Sequence, residues 1–169
     1  MEKAYFAAGC FWGVEHAFKQ IDGVSKTRVG YQGGEVASPT YEQVCGKQTG
    51  HAESVEVEFD PETISLKRLC DAFFFMHDPT QLNAQGPDVG PQYRSALFPV
   101  DEKQAHFFRD YITNSLDRSK YSEPVVTSVE EGCPFFTAEE MHQDYLKNNP
   151  SGYCHIGFDI FSKLKMGQY

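Results

Sequence analysis

The residues with the greatest chemical potential stand together near the start of the chain, in Gly9-Cys10-Phe11-Trp12-Gly13. A cysteine becomes a strong nucleophile once it is ionised, and this one adjoins the only tryptophan in the sequence. The apolar run Ala4-Tyr5-Phe6-Ala7-Ala8 reads as a strand leading in, and Gly13 to Gln20 as a helix leading out. Cys10 then falls at a strand-to-helix turn, where free backbone N–H groups and the positive end of the helix dipole favour a thiolate. An ordinary thiol, with a pKa of about 8.5, is only a few per cent ionised at neutral pH, so a drop of about two units would raise the nucleophile population roughly tenfold. Phe11 and Trp12 add a flat apolar wall. The stretch is expected to hold a nucleophilic cysteine with a small hydrophobic pocket; taken alone, it reads equally as a buried cysteine closing a strand.

A second candidate is Glu53. Val55, Val57 and Phe59 alternate with polar residues from Ser54 to Asp60, as in a half-buried strand. Glu53 has the parity of the apolar set. If the strand reaches back to it, its carboxyl faces the core, loses hydration, and is raised into the range of a proton donor at neutral pH. Read from the pattern alone, the strand begins at Ser54 and Glu53 is a solvated loop residue.

The elements that would position these groups can be followed along the chain. Val24 to Gln32 is strand-like, and Thr40 to Gly46 is a helical turn or structured loop. Leu66, Leu69, Cys70, Phe73 and His77 make the inner stripe of a helix from Ser65, which Asp78-Pro79 stops. Cys70 belongs to that stripe and is expected to be inert core. Thr80 to Gln92 is a long loop, Tyr93 to Phe98 a strand, and Asp101-x-x-Gln104 the start of a helix to about Leu116. Pro124 to Glu130 reads as a strand. Thr137-x-x-Glu140 resembles a capping box opening a helix to about Lys147, and Tyr153 to Tyr169 reads as irregular. The order predicts an α+β fold, a mixed sheet with helices packed against it.

Composition bounds the function. A chain of 169 residues is expected to form one domain with a sizeable core. The net charge of −9 argues against nucleic acid or an anionic membrane surface as partner. No apolar run is long enough to span a membrane. Ala7-Ala8-Gly9-Cys10 has the look of a lipoprotein cleavage site, but the preceding apolar run is too short for a signal peptide, and the start at Met1 speaks against a fused N-terminal domain. The five cysteines, Cys10, Cys45, Cys70, Cys133 and Cys154, are odd in number and include no C-x-x-C pair. That fits neither a disulfide scaffold nor a structural zinc site, and suits a cytoplasmic protein with reactive and inert thiols.

Taken together, these stretches resemble the peptide methionine sulfoxide reductase A family. The resemblance runs from Gly9-Cys10-Phe11-Trp12-Gly13 through Gly30-Tyr31-Gln32-Gly33-Gly34, Pro39 to Cys45, and Thr49-Gly50-His51-Ala52-Glu53. It continues in Phe74 to Thr80, Gln85 to Gly90, Gln92 to Ser95, His142-Gln143-x-Tyr145-Leu146 and Asn149 to Cys154. It implies a two-layer α/β sandwich of ferredoxin-like type and the reduction of methionine S-sulfoxide, free or in proteins. It implies roles by position: Cys10 as nucleophile, Phe11 and Trp12 around the substrate methyl, Glu53 as acid, Tyr41 and Tyr93 on the sulfoxide oxygen, Asp88 on a substrate N–H. Cys154, in the tail from about residue 148 to 169, would be the resolving thiol, with Cys133 as a competitor and Cys45 structural. The cycle passes through a sulfenic acid and a disulfide. Thioredoxin is the implied reductant; no metal or organic cofactor is implied, and a monomer is expected. Rival readings are a redox switch without turnover and a thiol peroxidase, neither of which needs Glu53 with two tyrosines or a methyl pocket. A metal site from Cys133, His142, Cys154 and His155 fits no standard spacing.

Overall fold

A computed structural model describes residues 1–169. Strand β1 (Glu2–Ala8) leads through Gly9 and Cys10 into helix α1 (Phe11–Phe18), and β2 (Val24–Gln32) follows. A short helix α2 (Tyr41–Cys45), strand β3 (Ala52–Phe59) and helix α3 (Leu66–Met76) come next. Then come a two-residue hairpin, β4 (Ala84–Gln85) and β5 (Asp88–Val89), strand β6 (Ser95–Phe98) and helix α4 (Glu102–Asp110). The chain ends with the two-residue strands β7 (Ser128–Val129) and β8 (Phe136–Thr137) and the helices α5 (Tyr145–Asn148) and α6 (Phe158–Lys165).

The main sheet has the order β7-β6-β1-β3-β2-β8. All pairs are antiparallel except β6 with β7, so the sheet is mixed and the fold is α+β, as expected. The four long strands with α1 and α3 run β-α-β-β-α-β in sequence, with β3 inserted between β1 and β2. No helix is long and apolar enough to cross a membrane.

Strand parity separates the two faces. Ala4, Phe6 and Ala8 of β1, Val29 and Tyr31 of β2, and Val55, Val57 and Phe59 of β3 face the helices and form one buried cluster with Phe18, Leu69 and Phe73. Phe6 is its hub, its ring 4.6 Å from that of Phe18 and 5.5 Å from that of Phe73. The opposite face carries Ala7, Ala52, Ala96 and Phe98. There Glu56 gathers Arg28, Tyr5 and Lys3 around its carboxylate.

Strand β3 begins at Ala52, and Tyr31 of β2 pairs with Glu53. Glu53 is therefore a core-side strand residue, not a solvated loop residue. The other departures lie in the second half of the chain. The expected strand Pro124–Glu130 shrinks to Ser128–Val129, and the expected strand from Tyr93 starts at Ser95 after a 3-10 turn over Pro91–Tyr93. The segment from Thr137 is not one capped helix. Phe136 and Thr137 pair with Tyr31 and Gly30 as an edge strand, and the Ala138 N–H continues that pairing to Val29 O at 2.9 Å. Long-range sheet bonding outcompetes the local cap. The terminal stretch is not irregular either, since α6 packs Leu164 into the core.

Candidate active site

The turn that carries Cys10 depends on Gly9, at φ +97°. A Cβ there would come within 2.9 Å of Gln85 Cβ and His155 Nε2. Cys10 occupies the N-cap position of α1 and is 6% exposed. Burial pushes its thiol well above the ordinary range and the neighbouring Glu53 carboxyl adds to the rise; only the Trp12 N–H opposes them. This corrects the expectation of a resting thiolate. Desolvation outweighs the helix terminus and favours the thiol over the thiolate at Cys10.

Glu53 lies directly under the turn. Its Oε1 accepts the Phe11 N–H at 3.1 Å, and its Oε2 is buried with no partner. Burial raises its pKa to about 8 against the pull of that N–H, with Asp88 adding to the rise. At neutral pH the group is therefore mostly a neutral acid. The Phe11 bond leaves Oε2 as the place for its proton.

Tyr41 and Tyr93 border the same space. Both phenols are raised by burial first and by the Glu53 carboxyl second, so both stay O–H donors across physiological pH. Thr40 caps α2 by accepting the Gln43 N–H, and the Gln43 side chain accepts the Thr40 N–H in return. This box sets Tyr41 as the first residue of α2, its ring 6.3 Å from Phe11. The Cys45 thiol lies beside Tyr41, at the site and not in the core. Asp88 is on the hairpin strand β5 and accepts the Tyr153 phenol at 2.7 Å. Cys154 is half-buried against α1, and its Sγ lies 2.8 Å from where a Cβ on Gly13 would stand. Cys133 lies across the sheet, beside Tyr5 and the second apolar cluster. The structure thus brings Cys10, Phe11, Trp12, Tyr41, Glu53, Asp88, Tyr93 and Cys154 to one end of the sheet and leaves Cys133 and Cys70 out.

Two residues with no role assigned from the sequence complete the aromatic cradle. Trp12 Nε1–H donates to His142 Nδ1 at 3.1 Å, and the Tyr145 ring stacks on Trp12 at 3.7 Å and 12°. His142 is buried, its pKa lowered by desolvation, and its ring stands 4.3 Å from that of Tyr41. Buried Glu15 fastens this segment to α1. Its Oε1 accepts the Asp144 N–H and its Oε2 the Thr27 hydroxyl, each at 2.8 Å, and Lys19 pairs with Asp144. The only sequence signal for His142 and Tyr145 was their place in the resemblance.

The model of the family described as peptide methionine sulfoxide reductase matches residues 2–168. The chain belongs to this family. It is 49% identical over 155 residues to the peptide methionine sulfoxide reductase MsrA of Methanothermobacter thermautotrophicus, covering 92% of each chain. Its fold superposes on reduced Mxr1 of Saccharomyces cerevisiae with a TM-score of 0.84 at 38% identity, covering 90% of this chain and 88% of the other. Mxr1 in complex with Trx2 matches at a TM-score of 0.58 and 25% identity, over 85% and 84% of the two chains. The geometry suits the family's reaction: an apolar aromatic wall, a neutral acid and a buried thiol share one small space.

Proposed function

We propose that the protein reduces the S-epimer of methionine sulfoxide, free or in proteins, to methionine, and is recycled by thioredoxin. The observation that carries this reading is the neutral Glu53 carboxyl bonded to the N–H that follows Cys10. A sulfoxide oxygen leaves sulfur only as it is protonated, and Glu53 is poised to lend that proton. The substrate methyl lies against Phe11 and Trp12, the oxygen meets Glu53, Tyr41 and Tyr93, and Asp88 takes a substrate N–H. The Cys10 sulfur attacks the sulfoxide sulfur and the oxygen passes to Cys10, which becomes a sulfenic acid as methionine leaves. Glu53 regains from the thiol the proton it lent.

Cys154 then attacks Cys10. A disulfide needs Cα atoms within about 7 Å, which favours a thiol already seated on α1 over Cys133 across the sheet. Water leaves, and the disulfide is reduced by thioredoxin, a reading supported by the yeast relative solved with Trx2. One catalytic domain over residues 1–169, working as a monomer in the cytoplasm, is part of the same proposal.

Turnover of the two separated epimers with thioredoxin tests the reading. Consumption of the S-epimer alone is expected, because a mirror substrate cannot place its methyl on Trp12 and its oxygen on Glu53 together. Equal rates on both epimers would contradict it. Cys154→Ser is expected to release one methionine per chain and then stall as the sulfenic acid. Full thioredoxin-dependent turnover in that variant would move the resolving role to another thiol.

A further inference from the structure

His155 follows Cys154, and the mechanism above does not use it. Its Nε2 lies 2.9 Å from Ala8 O. A carbonyl only accepts, so Nε2 carries the hydrogen and Nδ1 of the neutral ring is left as a bare lone pair. That Nδ1 is buried and has no partner. An acceptor left unpaired inside a protein costs free energy unless something uses it.

The ring lies along the turn that carries Cys10. Nε2 is at its Ala8–Gly9 end, 2.9 Å from a Cβ on Gly9, and Nδ1 points to its Gly13 end, 3.5 Å from a Cβ on Gly13. Cys154 Sγ enters the same notch, 2.8 Å from that position; it accepts the Ile156 N–H and its S–H donates to Ile156 O, each at 3.4 Å, so the S–H must turn from that carbonyl to meet Nδ1. The resolving sulfur and an unpartnered base therefore converge on the first turn of α1, beside the nucleophile. Resting on the function proposed above, we infer that His155 is the base of the resolving step. Its Nδ1 takes the Sγ proton of Cys154 as that sulfur attacks the Cys10 sulfenic acid.

The step balances. The Cys154 S–H bond breaks and the S–S bond forms. The Cys10 S–O bond breaks, and the hydroxide leaves as water on receiving the proton held by His155. Cys154 is oxidised, Cys10 is reduced, and no further reagent enters. Desolvation keeps His155 neutral and ready to accept, while Asp88 on β5 and the bond to Ala8 favour the cation once it forms. The His155 cation would in turn hold the buried His77, at the end of α3, more firmly in its neutral form. Asp78 and Lys120 line the cavity of about 460 Å³ that His155 and His77 share.

The pH dependence of disulfide formation, followed by rapid quench after one equivalent of methionine sulfoxide, tests the inference. With an imidazole base that burial holds neutral, the step in the unmodified chain is expected to be level through neutral pH. His155→Gln keeps an N–H for Ala8 O but has no base. Its methionine burst is expected to match that of the unmodified chain, while disulfide formation slows about 10²-fold at pH 7. Its rate should then climb about tenfold per pH unit, since only preformed thiolate attacks. An unmodified chain that already climbs in this way overturns the inference without recourse to the variant. So does a variant that forms disulfide at the normal rate, or one that loses burst and disulfide steps equally, which marks a structural role. An unmodified chain that yields no methionine is a different failure: it removes the proposed function and this inference with it.

Discussion

Replacing Cys10 with serine leaves a folded protein that makes no methionine. Turnover of the sulfoxide is expected to fall by about 10⁴-fold or more, the scale on which removal of a nucleophile acts. The substitution exchanges one small side chain for another at a position already 6% exposed, so the core around Phe11 keeps its packing. What changes is chemistry. A serine hydroxyl does not ionise near neutral pH, and oxygen transfer to it would have to form a peroxide-type O–O bond instead of a sulfenic acid. Methionine release by chromatography and a thermal melt on the same sample check both halves of the claim. Substantial turnover with an unchanged melt would remove Cys10 from the reaction.

The thiol's resting state shapes how that experiment reads. Burial holds Cys10 protonated, and the charged form of Glu53 would hold it so more firmly. Attack is therefore coupled to the arrival of a sulfoxide that accepts a proton. An alkylating reagent should label Cys10 slowly in the free enzyme even though it is the proposed nucleophile. The turn-to-helix position, visible in the sequence, gave the right place and the wrong resting charge. The helix terminus can be read from a motif; how deeply the three-dimensional neighbours bury that terminus cannot.

The same division runs through the fold. Val55, Val57 and Phe59 showed the inner face of β3, and Ser65 with its apolar stripe showed α3, because these patterns are local and periodic. The start of β3 at Ala52 was not legible: it is set by pairing with Tyr31 and Gln32 across the sheet. The Thr137-x-x-Glu140 pattern misled for the converse reason, since the edge of β2 takes Phe136 and Thr137. Gln143 then bonds both the N–H and the carbonyl of Val29, and Glu139 accepts the Tyr31 phenol and the Tyr41 N–H. Helix α6 escaped notice because Gly157 caps it without a side-chain bond. The Asp159–Lys163 spacing and Gly167 at φ +69° were the available signs of it. Cys154 was expected on an irregular tail; it is instead seated against α1, with α6 following it in the chain.

Glu53→Gln is expected to separate activity from stability. The amide keeps the size of the carboxyl and an acceptor for the Phe11 N–H but cannot release a proton, so the rate should fall by about 10²–10⁴-fold. That corresponds to about 3–5 kcal/mol of barrier. In the unmodified enzyme the acid must be protonated, so methionine formation should decline as pH rises through about 8. That decline should be absent from whatever activity the variant retains. The stability effect has the opposite sign. A carboxyl raised from 4.5 to about 8 binds its proton more tightly in the folded chain than in the unfolded one. Stability therefore falls as pH rises between those two values. At about 1.4 kcal/mol per factor of ten in proton affinity, the fold gives up on the order of 4–5 kcal/mol by the alkaline end. Glutamine has no proton to lose, so the variant should gain on the unmodified enzyme across that pH window, with the gap widest above pH 8. Paired denaturant titrations at pH 5 and pH 8.5 measure it. A variant that is both slower and less stable at pH 8.5 would show Glu53 to be an ionised structural anchor, with the proton supplied by Tyr41, Tyr93 or water.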